Sequence, residues 1–421
     1  MIHHGDLFTV LPAVPADYYD ACVTDPPYGI GFMGKEWDTF KPGAVKQAHR
    51  LVKAEPIVSV NPNINGRRRS PAISPSQVEY DYTVEGLRGF QHWTEQWARQ
   101  VFRVLKPGAY IVVCCAPRSY HRMACGLEDA GFVIRDKFSW LFGSGFPKNL
   151  NLGDGRGTAL KPAHEPIALA WKPFKGSITA NVAKHGTGAL NIDACRLEPG
   201  DDGDRTGEPS AERGYTDSGS TDFAPTPGPR GGSPLGRWPA NVIIDDVAAA
   251  AIDEQTGELV SGANPTRRSA DKFRDAYGAF KGQEECDAAR GLDIGGASRF
   301  YYVAKPSREE RDMGCYDLTP RQRDESRKEG NPGGDNPRNR GLQPRGNFHP
   351  TVKPIALMRY LVRLVTPPGG RVLDPFGGSG TTACACVYEQ REWDVIEKEA
   401  EYIELIKRRV HAVAPLFTEA V

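Results

Sequence analysis

No charge of either sign dominates: 53 lysines and arginines face 53 aspartates and glutamates in 421 residues. No polycation advertises nucleic acid, although a basic patch can grip a polyanion in a protein that is neutral overall. The nine cysteines are single apart from Cys114-Cys115 and Cys384-Ala385-Cys386, and no C-x-x-C pair occurs. That argues against zinc, so no metal is expected, and reduced thiols of a cytosolic protein are the reading. The apolar run at 109–116 is far too short to span a bilayer. The stretch Met1-Ile2-His3-His4-Gly5-Asp6 lacks the apolar core of a signal peptide. A soluble cytoplasmic protein without membrane contact is expected. Internal repeats are missing too, as is the Gly-Lys-Ser/Thr of a phosphate loop, and the late run Phe376-Gly377-Gly378-Ser379-Gly380 is not G-x-G-x-x-G.

What the chain does have is a different glycine turn. Arg371-Val372-Leu373 reads as a buried strand, Asp374-Pro375-Phe376-Gly377-Gly378-Ser379-Gly380-Thr381-Thr382 as the turn, and Ala383 onward as a helix. Strand, glycine turn and helix is how a parallel α/β sheet holds a nucleotide-like ligand at its carboxyl strand ends. A further strand, Trp393-Asp394-Val395-Ile396, ends in Glu397, an acid placed to accept from both hydroxyls of a ribose. With no lysine to meet phosphates, a nucleoside lacking them fits better.

The other strong local signal lies near the start. The strand Asp20-Ala21-Cys22-Val23-Thr24 runs into Asp25-Pro26-Pro27-Tyr28-Gly29. The two prolines stop the strand and hold Asp25 extended, forming a rigid hook that displays an acid and an aromatic. Trp93, Trp97, Val101 and Val104 recur at helical spacing as core positions, and Lys106-Pro107-Gly108 ends that helix. Strands at 110–114, 132–142 and 166–171 and a helix at 120–130 continue a βαβ rhythm. The expected fold is a doubly wound, mostly parallel α/β sheet. One half spans 1–172 and the other 348–412, with a tail at 413–421. An inserted region, 173–347, contains Gly/Pro-rich stretches at 199–236 and 307–346 that read as disordered.

Asp25-Pro26-Pro27-Tyr28, followed late in the chain by the Asp374–Gly380 turn, resembles the DNA amino-methyltransferases of the permuted β class. His349-Pro350-Thr351-Val352-Lys353-Pro354 resembles the segment that precedes their cofactor strand, and Gly5-Asp6 their N-terminal element. The resemblance implies S-adenosylmethionine as cofactor, double-stranded DNA as substrate and a target-recognition role for 173–347. Asp25, Pro26, Pro27 and Tyr28 would be catalytic. Asp374, Phe376, Gly377, Gly378, Gly380 and Thr381 would line the cofactor, with Glu397 on its ribose and Asp6 on its adenine. Thr351 and Lys353 would bracket its methionine carboxylate, with a solvated surface lysine as the plainer reading of Lys353. Arg67, Arg68, Arg69, Arg338, Arg340 and Arg345 are the candidate phosphate contacts, against ordinary solvated loop charge. In this family Asp at the first motif position goes more often with adenine N6 than with cytosine N4, so adenine is preferred. A catalytically silent DNA-binding protein of the same fold is the rival class. A restriction endonuclease partner and a monomeric or homodimeric state are both compatible with the resemblance.

Overall fold

The structure, a computed structural model, describes residues 1–29, 84–143, 145, 155–198, 236–261, 293–304, 308–321 and 345–414. They fall into two compact units, one of Met1–Asn191 with Ala304–Val421 and one of Ile192–Val303.

The first unit begins with β1 (Ile2–His4), α1 (Leu7–Val10) and β2 (Tyr19–Thr24). It continues with α2 (Val84–Val104), β3 (Leu105–Cys114), α3 (Tyr120–Asp129), β4 (Val133–Leu141), β5 (His164–Trp171) and α4 (Ile178–His185). The second unit holds β6 (Val242–Ile244), α5 (Asp246–Thr256), β7 (Leu259–Ser261), β8 (Asp293–Gly295) and β9 (Tyr302–Val303). The chain then returns to the first unit with α6 (Arg308–Asp312), α7 (Ile355–Val365), β10 (Arg371–Asp374), α8 (Thr381–Tyr388), β11 (Glu392–Glu397) and α9 (Ala400–Val413).

The first unit's sheet runs β1-β11-β10-β2-β3-β5-β4. Strands from β1 to β3 pair in parallel, while β5 is antiparallel to both β3 and β4. This is the expected mostly parallel α/β sheet. All six residues of β2 are buried, as a strand covered on both faces requires. α2 turns one face to the core through Phe90, Thr94, Trp97, Ala98, Val101 and Val104, the three-and-four spacing of an amphipathic helix. It ends at Val104, but β3 starts at once rather than at Tyr110. Pro107 and Gly108 fall where the β2–β3 register slips, between the Tyr19–Leu105 and Ala21–Tyr110 pairs. An irregularity there leaves the missing proline N–H outside the ladder.

The second unit is narrower than the inserted region expected at 173–347. α4 lies outside it, and so does Asn191, whose amide donates to Arg363 O at 2.8 Å and Thr366 O at 2.6 Å in the first unit. Within the second unit, β6 and β9 pair in parallel and β7 and β8 antiparallel. Asp245 caps α5, and Asp253 accepts from the N–H and hydroxyl of Ser298.

The disordered reading of 307–346 fails over 308–321. There α6 leads to Gly314, where a side chain would collide with Arg408 O at 2.3 Å, and to Cys315, buried with Tyr402 and Leu405. Polar composition hid a segment anchored by one glycine and one thiol. Residues 199–235 and 322–344 lie outside the described residues.

Candidate active site

From β10 the chain moves through α8 to β11 on one side, and from β2 through α2 to β3 on the other. The order of a parallel sheet reverses at such a point, and a crevice opens beyond the carboxyl ends of the two strands. A cavity of about 700 Å³ lies there, walled by Asp25–Tyr28 from β2 and Asp374–Ser379 from β10. The two strand ends are tied directly: the Thr24 hydroxyl donates to Asp374 Oδ1 at 2.7 Å.

The glycine-turn wall is built mostly from backbone. Gly377 N–H donates to Ile396 O at 2.8 Å, and Gly378 N–H to Glu397 Oε2 at 2.7 Å. The other Glu397 oxygen accepts from Glu399 N–H at 2.8 Å, and burial pushes this carboxyl up. Gly380 has φ +78°, a conformation that favours glycine, and a Cβ there would press on Ile406 of α9 at 3.0 Å. From α9 the fully buried Arg409 donates to Ser379 O at 2.8 Å and Thr381 Oγ1 at 2.9 Å, bracing the turn from behind. Burial pushes Asp374 up to about 7, against bonds from Thr382, Thr24 and the Phe376 N–H. The Phe376 ring sits 5.5 Å from Trp93 and 5.4 Å from Trp97. Trp97 is core, as expected, whereas Trp93 also faces the cavity. Asp6 caps α1, accepts from Phe8 N–H at 3.0 Å and lines the same cavity, as does Thr351.

The hook wall is built from side chains. Its bend depends on Gly29, at φ +68°, where a Cβ would fall 2.4 Å from the Phe90 ring. Pro26 is buried. The Tyr28 hydroxyl lies 2.7 Å from both Asp25 Oδ1 and Glu165 Oε1. Lys353 Nζ lies 2.9 Å from each Asp25 oxygen, 2.9 Å from Glu165 Oε1 and 2.8 Å from Tyr28 Oη. Burial alone would push the Lys353 ammonium down, but Asp25 and Glu165 outweigh it and hold it above the ordinary range. Burial pushes Glu165 up, opposed by Lys353. Burial, then Asp25 and Glu165, push the Tyr28 phenol well up. Asp25, Glu165 and the Cys114 thiol offer ligand atoms within 4.8 Å of one another, yet the cation bonded to both carboxylates is the protein's own lysine.

The sequence matches the DNA methylase family of the N6/N4 type over residues 19–408. The chain belongs to that family. It is 28% identical over 208 residues to the type II methyltransferase M.HindIII of Haemophilus influenzae, covering 45% of this chain and 64% of that protein. A 68-residue stretch is 44% identical to the type II methyltransferase M2.MboI of Moraxella bovis, covering 16% of this chain and 25% of that protein. The chain thus spans less than two thirds of the length of either relative. Among solved structures, the cytosine-N4-specific PvuII DNA methyltransferase superposes with a TM-score of 0.44 at 14% identity, over 97% of this chain and 85% of that one.

In this family member the hook, the turn, Glu397, Asp6, Thr351 and Lys353 all meet at one cavity. Lys353 is not a solvated surface lysine: its side chain is 9% exposed. Nor is its ammonium free to bracket a carboxylate from outside, because it is bonded to Asp25 and Glu165. Arg345 pairs with Asp312 at 3.2 Å, so its charge is committed within the fold. Arg67, Arg68, Arg69, Arg338 and Arg340 lie outside the described residues. Sequence reasoning missed Glu165, Arg409 and the cavity face of Trp93. Glu165 carried one faint signal, an acid immediately before the apolar run at 166–171.

Proposed function

We propose that this protein transfers a methyl group from S-adenosylmethionine to the exocyclic N6 of an adenine flipped out of duplex DNA. The observation that carries the reading is the placement of Asp25 on one wall of the cavity whose other wall is the glycine turn with Glu397. The residues suit the cofactor. The cavity is of the size that ligands occupy. It offers an aromatic ring in Phe376, a buried carboxylate at a strand end for ribose hydroxyls, and no lysine in the turn to meet a phosphate. Bound there, the cofactor supplies an electrophilic methyl.

The chain's own residues then deal with a poor nucleophile, since the lone pair of an exocyclic amine is delocalised into its ring. Asp25 and the Pro26 carbonyl accept the two N–H bonds and draw the nitrogen toward sp³, which frees that pair. Stiffness of the Asp-Pro-Pro hook fixes the Pro26 carbonyl and the backbone that carries Asp25 before the base arrives. Tyr28 packs on the base, which cannot be reached while stacked in the duplex. Trp93 and Phe376 keep water from the opposite side. The second unit, at the centre of the inserted region, reads the DNA site. The likeness to type II methyltransferases supports a modification role beside a restriction endonuclease.

Sequencing DNA from an expressing cell with modification detection tests the reading. N6-methyladenine at a recurring site is expected. N4-methylcytosine would overturn the base assignment, and unmodified DNA the activity.

A further inference from the structure

Six short contacts link Asp25, Tyr28, Lys353 and Glu165, and there are too few protons to make all of them hydrogen bonds. The Lys353 ammonium has three N–H groups. It faces four acceptors: Asp25 Oδ1 and Oδ2, Tyr28 Oη and Glu165 Oε1, all at 2.8–2.9 Å. The Tyr28 hydroxyl has one proton and lies 2.7 Å from an oxygen of each carboxylate. The cation therefore has alternative bonding patterns of similar geometry, one closed on Asp25 and one on Glu165 with Tyr28. The Lys353 and Glu165 side chains are 9% and 16% exposed, and both line the cavity that the flipped base would enter.

This matters if Asp25 is the amine acceptor, and the inference rests on that reading. A lysine paired with Asp25 alone would hold both of its oxygens by bonds in which both partners are charged, whereas an incoming amine brings only a neutral donor. We propose that Glu165 is a positioning residue for methyl transfer: by sharing the Lys353 ammonium, it leaves an Asp25 oxygen available to the amine of the flipped base. Glu165 reaches the reaction only through Lys353 and Tyr28. A bland alternative is that Glu165 merely ties β5 to the hook.

The sign of a double substitution separates the two. Single-turnover methylation of DNA carrying the modified site is measured for the wild type, Glu165→Gln, Glu165→Asp and Glu165→Gln with Lys353→Met. S-adenosyl-L-homocysteine affinity is measured in parallel by calorimetry. Glu165→Gln should slow transfer about 10- to 100-fold, the loss of one charged hydrogen bond, with S-adenosyl-L-homocysteine affinity unchanged. Glu165→Asp should recover part of the rate. Adding Lys353→Met to Glu165→Gln should raise the rate again, because the cation that closes on Asp25 is gone. The proposal is overturned if Glu165→Gln matches the wild type, if the double variant is slower still, or if Glu165→Gln also loses S-adenosyl-L-homocysteine binding, which would mark a structural anchor. A wild type that methylates no DNA would instead refute the functional reading, independently of Glu165.

Discussion

The glycine turn and the acid-proline hook close the same cavity from adjoining strand ends, but they are held in different ways. The turn is fixed by backbone bonds to β11, by glycine conformations and by one brace, Arg409. The hook has a stiff backbone, but its functional atoms are set by Lys353 and Glu165, which lie 328 residues beyond Asp25 and 137 beyond Tyr28. On the proposed function, binding geometry is encoded locally, whereas chemical geometry is assembled from distant parts of the chain. Lesions in the turn should weaken cofactor binding and stability, and lesions in the hook should stop chemistry while binding survives.

The sharpest break is Asp25→Ala. It removes one of the two proposed amine acceptors, and transfer should fall about 10³-fold or more, while calorimetry shows cofactor affinity intact. If transfer persists, the hook has no chemical part and the contrast fails. Next comes Arg409→Met, which strips the turn of charged donors to Ser379 and Thr381. Denaturant unfolding should show a loss of about 2–3 kcal/mol, with turnover of the bound complex retained.

Glu397→Gln is milder. S-adenosyl-L-homocysteine affinity should drop about tenfold as a charged acceptor becomes neutral, and the rate at saturating cofactor should hold. A rate loss that saturation does not repair would place Glu397 in the chemistry.

The smallest effect is a pH slope. Burial lifts Asp374 from an ordinary 3.8 to about 7 in the folded chain. Between those values the folded chain keeps a proton that the unfolded chain has released. The stability contribution is complete below about pH 4 and is lost as pH rises through 7. Asp374→Asn should flatten that part of a stability–pH curve, and an unchanged slope would mean that the carboxyl is ionised when folded.

The same contrast explains what could be read from residues alone. Arg371–Thr382 was legible because a strand, a glycine cluster and a helix are contiguous and each has a local signature. Helix α8 starts at Thr381, two residues before the apolar run suggested, since Gly380 ends the turn. Asp25–Tyr28 was legible because paired prolines leave the backbone few choices. Glu165 was not, because one acid at the start of a strand says nothing about a lysine 188 positions later, the difference between 353 and 165. Arg409 was hidden among the charged positions of an amphipathic helix, where only folding shows that it points inward. Trp93 shared the helical spacing of Trp97, and periodicity cannot tell a core wall from a cavity wall. Residues 308–321 looked like loop because composition does not register a single buried cysteine or a glycine pressed against another helix.

A crystal structure of the protein with S-adenosyl-L-homocysteine tests most directly whether the two walls serve one reaction. The account predicts ribose hydroxyls on the Glu397 carboxylate, the ligand packed on Phe376, and its sulfur turned toward Asp25 with space for a base between. Ligand density away from Glu397, or a sulfur screened from Asp25 by protein, would contradict it.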